Sequence, residues 1–358
     1  DLIADEEMVV TVTHTGYIKR APIAEYRAQK RGGKGVTGMT TRDQDFVREL
    51  FVASAHDYLL MFTNTGRVYS KRVYEIPRAG RASRGKAMVN LLDLRRGERV
   101  QQMLALREID EHHLVVMATR RGWIKRTRLR DFANIRSSGI IAIDLEDGDQ
   151  LAGVGLTDDE LQIMLSTRQG MVVRFAEDDV RVMGRTARGV RGITLREDDA
   201  MVGMAVLEPG SQASIVSVCE HGFGKRTNAA EFGVQRRGGI GLIAIKASPR
   251  NGPVVGTLVA EDGDELMVIT NVGKVIRMPV SDMSLIGRNT QGVRLIRLEE
   301  EEKVVSVERL AERDDDPERG GNGATPPPGL ASEEPDPGGG KGEIEETADD
   351  DPEQIPED

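Results

Sequence analysis

Val9-Val10-Thr11-Val12-Thr13-His14-Thr15-Gly16 is a run rich in β-branched residues that ends in a threonine-rich turn and a glycine. Such residues favour extended backbone, and a glycine closing the run reads as a hairpin turn. The phrase returns as Leu59-Leu60-Met61-Phe62-Thr63-Asn64-Thr65-Gly66, and then with glycines at Gly122, Gly170, Gly222 and Gly273. The steps between these glycines are 50, 56, 48, 52 and 51 residues. A period near fifty signals a propeller or a similar array, in which each repeat is one small sheet that cannot bury its faces alone.

A second glycine follows each turn, at Gly35, Gly85, Gly139, Gly189, Gly241 and Gly292, with separations of 19, 19, 17, 19, 19 and 19 residues. The repeats therefore share an internal register as well as a period. Between the two glycines lies a strand such as Tyr17-Ile18-Lys19-Arg20 or Trp123-Ile124-Lys125-Arg126. After the second come apolar segments such as Ile140-Ile141-Ala142-Ile143 and Val202-Gly203-Met204-Ala205-Val206, separated by turns such as Glu146-Asp147-Gly148-Asp149. About four strands per repeat and no amphipathic helix predict an all-β, six-bladed architecture. Residues 1–313 carry the repeats, and 314–358 form a tail.

The net charge of −10 conceals an uneven distribution. Residues 314–358 hold 16 acidic side chains against only Arg319 and Lys341, which leaves 43 acidic and 47 basic residues in the body, a net of +4. The tail is rich in Pro, Gly and acid, cannot offset its ordering entropy, and is predicted to be disordered. It is also expected to compete with an anionic ligand for basic residues of the body. A single cysteine, Cys219, excludes an internal disulfide and fits a reducing compartment. No apolar run reaches the roughly 20 residues that span a bilayer, so a soluble, intracellular protein is expected. Because the chain starts at Asp1 in what reads as a connecting segment, a piece of a longer polypeptide is expected too.

Basic residues gather at the second glycine. Gln29-Lys30-Arg31-Gly32-Gly33-Lys34-Gly35 packs three cations among three glycines, a loop built to meet an anion. Gln235-Arg236-Arg237-Gly238-Gly239-Ile240-Gly241 repeats the frame with Ile240 in place of the second lysine. Arg84 and Lys86 flank Gly85, Arg136 precedes Gly139, Arg185, Arg188 and Arg191 surround Gly189, and Arg288 and Arg294 bracket Gly292. Cations recurring at one register lie on a ring around a disc, which suits a polyanion bent around that rim. A second series, four residues after each first glycine, reads Arg20, Ser70, Arg126, Arg174, Arg226 and Arg277. For these, packing between blades through carboxylates such as Asp178 or Asp282 is the favoured reading.

No catalytic constellation is visible. The five histidines, His14, His56, His112, His113 and His221, lack metal-ligand spacing, and no nucleophile elbow, phosphate loop or zinc signature occurs. His14 and His221 are expected to serve their glycine turns, and Tyr17 and Trp123 to be core residues. Aromatics are too few to stack splayed bases, which argues against single-strand recognition.

Gln29 to Gly35 resembles the signature box of the DNA gyrase A subunit, QRRGGKG, departing from it only at Lys30, where charge is kept. Thr13 to Arg20 resembles the opening blade of that subunit's C-terminal domain, and the likeness continues through all six repeats. The resemblance implies a six-bladed β-pinwheel, whose blades exchange hairpin strands, and the wrapping of double-stranded DNA around the basic rim with positive writhe. It implies that Gln29, Lys30, Arg31, Gly32, Gly33, Lys34 and Gly35 are needed for wrapping. It further implies an A2B2 holoenzyme in bacterial cytoplasm, with two partners, gyrase B and the N-terminal breakage-reunion part of gyrase A. ATP and Mg would be used there and no cofactor in this domain, which lacks the active-site tyrosine and is non-catalytic alone. The box would pin DNA where first and last blades adjoin. The related topoisomerase IV protein shares this fold but typically lacks an intact box. A protein-binding propeller is the alternative of another class, and it predicts apolar residues clustered in the loops of one face, where Arg, Lys and Gly stand here.

Overall fold

The computed structural model describes residues 3–23, 45, 47–80 and 83–310; the basic box at 29–35 and the tail at 314–358 lie outside the described residues. The repeated phrase forms a β-hairpin in every blade. In the second, the amide of Gly66 donates to the Thr63 carbonyl at 3.0 Å, and the Thr63 hydroxyl accepts from the Arg67 amide at 3.3 Å. This double use explains a threonine three residues before the glycine; Thr13, Thr119, Thr167 and Thr270 do the same, and Cys219 replaces it in the fifth blade.

Each blade orders its strands from the disc axis outward. The first runs Val47–Ser54, Glu7–Thr13, Tyr17–Pro22 and Lys86–Ala87, and the second Val100–Leu106, Tyr58–Thr63, Arg67–Arg72 and Ile140–Ile141. The third, fourth and fifth follow the same plan and end outward in Val190–Arg191, Leu242–Ile243 and Val293–Arg294. The outermost strand always comes from the following repeat, so the blades do exchange strands. The sixth blade has three strands among the described residues, Val304–Leu310, Glu265–Thr270 and Val275–Pro279, rather than the expected four. No α-helix occurs among the described residues, only 3-10 turns such as Val73–Glu75 and Glu177–Asp179.

Alternation builds the core between blades. In Tyr58–Thr63, Leu59 and Met61 pack with Val10, Val12 and Ile18 of the first blade, whereas Leu60 and Phe62 pack with Val115 and Met117 of the third. The inner strands thus bury both faces against the neighbouring blades, which no single blade could achieve. The second glycine lies where a loop crosses the preceding strand. Gly189 has φ +109°, and a Cβ there would come within 2.3 Å of the Ile124 carbonyl oxygen, so only glycine fits. The ring closes where Val304–Leu310 packs on Val47–Ser54. Across this seam His14 Nδ1 meets Glu308 Oε1 at 2.7 Å, and the Glu308 carboxylate holds the imidazole pKa above its ordinary value.

Candidate nucleic-acid interface

The outer strands and the loops before them make the rim. The arginines four after each first glycine do not belong to it as ligands. Arg126 is 4% exposed; its Nε donates to the Val180 carbonyl at 2.7 Å and its Nη1 meets Glu177 at 3.1 Å as well as Asp159. Arg20 donates to the Ile76 and Tyr74 carbonyls, Arg174 to Ala229 at 2.8 Å, and Arg226 to Met283 at 2.9 Å and to Asp262. Each latches the turn that follows the third strand of the next blade; Arg277 instead takes Glu265 of its own sheet. The packing reading holds, although backbone carbonyls supply most of the acceptors and the carboxylates are not Asp178 or Asp282. An Arg fork donates to several carbonyls at once, which carboxylate pairing does not require.

One residue earlier in the repeat, sequence reasoning missed three buried cations. Lys19, Lys125 and Lys225 are 0%, 0% and 1% exposed. Lys19 Nζ donates to Gly80 O at 3.3 Å, and Lys125 to Gly184 O at 3.0 Å and Arg185 O at 2.5 Å. Lys225 donates to Gly287 O at 2.6 Å, Thr290 Oγ1 at 3.0 Å, and Arg288 O. Each ties down the loop ahead of a second glycine. Burial pushes Lys125 down to about 7 and Lys225 down to about 8. The signal available in the sequence was the alternation at this register, where the other blades carry Tyr69, Val173 and Ile276.

The rim residues divide by environment. Lys86, Arg136, Arg236 and Arg294 are exposed, and Arg185 and Arg191 half-buried. Arg188 pairs with Glu146 at 2.9 Å and Asp144 at 3.4 Å, so its charge is largely neutralised. Arg185 donates to the Ile141 carbonyl at 2.9 Å, and Arg288 Nη1 reaches the Ile243 carbonyl at 3.4 Å. The second, degenerate box is mainly a suture. Arg237 donates to Asp179 O at 2.7 Å and Arg191 O at 3.0 Å, Gly238 N to Gly192 O at 2.7 Å, and Thr194 N to Gly239 O at 2.9 Å. Arg236 is left facing solvent. These loops also expose Val182, Val234, Ile240 and Leu285, so they are less uniformly basic than the sequence suggested.

Tyr17 and Trp123 are half-exposed rather than core, and each lies under a guanidinium. Arg84 stacks at 3.7 Å over Tyr17 and Arg191 at 4.1 Å over Trp123, while the buried Phe223 lies under Arg250 at 4.8 Å and Arg294 at 5.2 Å. Arg84 also meets Asp45 at 3.5 Å. Among the described residues no group of three His, Cys, Asp or Glu side chains could hold a metal, and no helix is long and apolar enough to cross a membrane. Cys219 is fully buried, which pushes its thiol up to about 12.

The family model described as "DNA gyrase C-terminal domain, beta-propeller" matches six segments, 7–54, 57–107, 113–158, 162–208, 215–261 and 264–311, one per blade. The DNA gyrase A protein of Salmonella typhimurium is 47% identical over 315 residues, and that of Escherichia coli K12 46%. Both alignments cover 88% of this chain and 36% of the relative, so the chain spans about a third of the length of these proteins. Among solved structures, the C-terminal domain of DNA topoisomerase IV superposes with a TM-score of 0.77 at 27% identity, covering 86% of this chain and 94% of that one. The DNA gyrase A C-terminal domain gives 0.63 at 26%, covering 85% and 100%. The six-segment match, at the blade register read from the glycines, and the gyrase A relatives place the chain in one family: it belongs to the DNA gyrase C-terminal domain, beta-propeller, family.

Proposed function

We propose that the disc binds duplex DNA without sequence preference and wraps it around the rim with positive writhe, as the C-terminal part of a gyrase A protein. The observation that carries this reading is the series of arginine- and lysine-bearing loops on the outer edge of successive blades, anchored by buried lysines and glycine crossings. Phosphate contacts spread along an arc fix a bent duplex without reading bases, and among the described residues no helix is available to enter a major groove. Bending 20–30 base pairs by 40–90° costs about 1–6 kcal/mol, which distributed contacts must offset. Affinity should therefore fall with salt by about 0.9 log units per log unit for each phosphate neutralised.

In this reading the box at 29–35 pins the wrap and fixes its direction, and the acidic tail competes for the rim. The chain is itself non-catalytic. Strand cleavage and the ATP- and Mg-dependent step belong to the breakage-reunion part of gyrase A and to gyrase B in an A2B2 holoenzyme, which uses the wrap to introduce negative supercoils in the bacterial cytoplasm. The test is to ligate nicked circular DNA with the chain bound, remove protein, and read the linking number. A positive shift growing with protein supports handed wrapping. Binding with no shift, for the full chain and for residues 1–313 alike, sinks it and favours holding without writhe, as a topoisomerase IV homologue might do.

A further inference from the structure

The rim positions of the first five blades are not equivalent. In blades one, three and five an aromatic residue follows the first glycine, Tyr17, Trp123 and Phe223, and carries the arginine stacks given above. The same three blades own the buried lysines that hold their outer loops. Blade two has Arg67 at the aromatic position, its Nη2 spent on the Ser138 and Gly139 carbonyls at 2.7 and 2.8 Å, and blade four has buried Met171. Their outer strands present Ile141 and Ile243 where blades three and five present Arg191 and Arg294; blade one presents Ala87 there, and its arginine, Arg84, comes from the loop before Gly85 and also meets Asp45.

We infer that the rim is a threefold grip: DNA phosphates are held at stations on blades one, three and five, and blades two and four only span from one station to the next. The inference rests on the DNA-wrapping reading. A guanidinium resting on a ring keeps a fixed orientation with its outward N–H groups available, so less rotamer entropy is lost when a phosphate arrives. Arg191 gives one N–H to the Arg121 carbonyl at 2.8 Å, which fixes the fork further and leaves its remaining donors. The lysine beneath each station keeps the loop carbonyls in place. Blade two has its guanidinium stack, Arg72 over Tyr58 at 3.4 Å, at the open end of its hairpin away from the outer strand; neither blade two nor blade four has a stack or a buried lysine at the outer edge, and their exposed Arg136 and Arg236 lack a described partner that would orient them.

Two charge-matched doubles test this on the full chain, Arg191→Gln with Arg294→Gln against Arg136→Gln with Arg236→Gln. All four sites lie on the outer edge, and each double removes two positive charges. Binding to a linear duplex of about 150 base pairs is measured over a salt series, with melting curves to confirm the fold. The first double should lose about tenfold in affinity or more and lower the salt slope by about 2, while the second stays within about threefold of wild type. Equal losses would overturn the threefold grip while leaving rim binding intact. No loss in either double would instead count against the rim itself. Should the first double fail to fold, building the missing station in blade two with Arg67→Trp and Ile141→Arg should tighten binding about threefold, and unchanged affinity there would overturn the inference.

Discussion

Replacing Lys225 with methionine separates the stability of the disc from the order of its rim. The substitution removes three donated hydrogen bonds, to Gly287 O, Arg288 O and Thr290 Oγ1, and with them the tether of the loop ahead of Gly292. Buried acceptors left unsatisfied cost about 1–3 kcal/mol each, but Gly287 is exposed and Thr290 half-buried, so water replaces part of what is lost. Against this, a lysine pushed from 10.5 to about 8 is held in its charged form at neutral pH at a cost of about 3 kcal/mol, which methionine does not incur. The two effects nearly cancel, leaving global stability within about 2 kcal/mol of wild type, a shift of a few degrees in Tm. Blades with Val173 and Ile276 at this position already show that an apolar side chain is compatible with the strand. The loop should respond far more than the fold. Hydrogen exchange across 285–294 should accelerate at least tenfold, and the salt slope of DNA binding should fall by about one as Arg288 and Arg294 lose their fixed positions. Exchange in that segment as slow as in wild type, with the fold intact, would refute the tether.

Three further outcomes follow from the packing. Arg126→Met should cost about 3–5 kcal/mol by chemical denaturation, because it leaves Glu177, 1% exposed, without its cation; a loss under about 1 kcal/mol would mean the latch carries no weight. His14 has a raised pKa, so its contribution is present below about 6.5 and lost as pH rises through the folded value. Wild type should therefore lose more Tm between pH 6 and 8 than His14→Gln; parallel slopes would show that the seam does not titrate. Cys219 should remain unmodified by thiol reagents in the native state at pH 8 and react on unfolding, and rapid native labelling would place it outside the core.

Much of the fold was legible because glycine and threonine are used here for backbone reasons. Gly189 cannot carry a Cβ, and Thr63 closes its turn twice over, so their spacing counted blades before any contact was known. Strand exchange was not legible from the residues, since Ile140-Ile141 reads as a strand within its own repeat and only the pairing of Ile140 with Val68 and Ile141 with Arg67 assigns it to the preceding blade. The arginine series was legible as packing, but most of its acceptors are backbone carbonyls, which carry no sequence signature. Lys125 was hidden for the opposite reason. A charged residue in a strand beside Arg126 reads as surface, and its burial depends on the Gly184 and Arg185 carbonyls some sixty residues away.

The borrowed outer strand bears on how such discs change size over evolutionary time. Each of the first five blades is completed by the repeat that comes next, and the borrowed residues sit one or two positions beyond the second glycine. Loss or duplication of one repeat-length block of about fifty residues therefore hands the preceding blade an equivalent strand in the same register, wherever the breakpoints fall. Blade number can drift by recombination without ever passing through an intermediate that has a torn sheet. The heritable unit and the folding unit are offset along the chain, and that offset lets the disc gain or lose a sector while every joint stays filled.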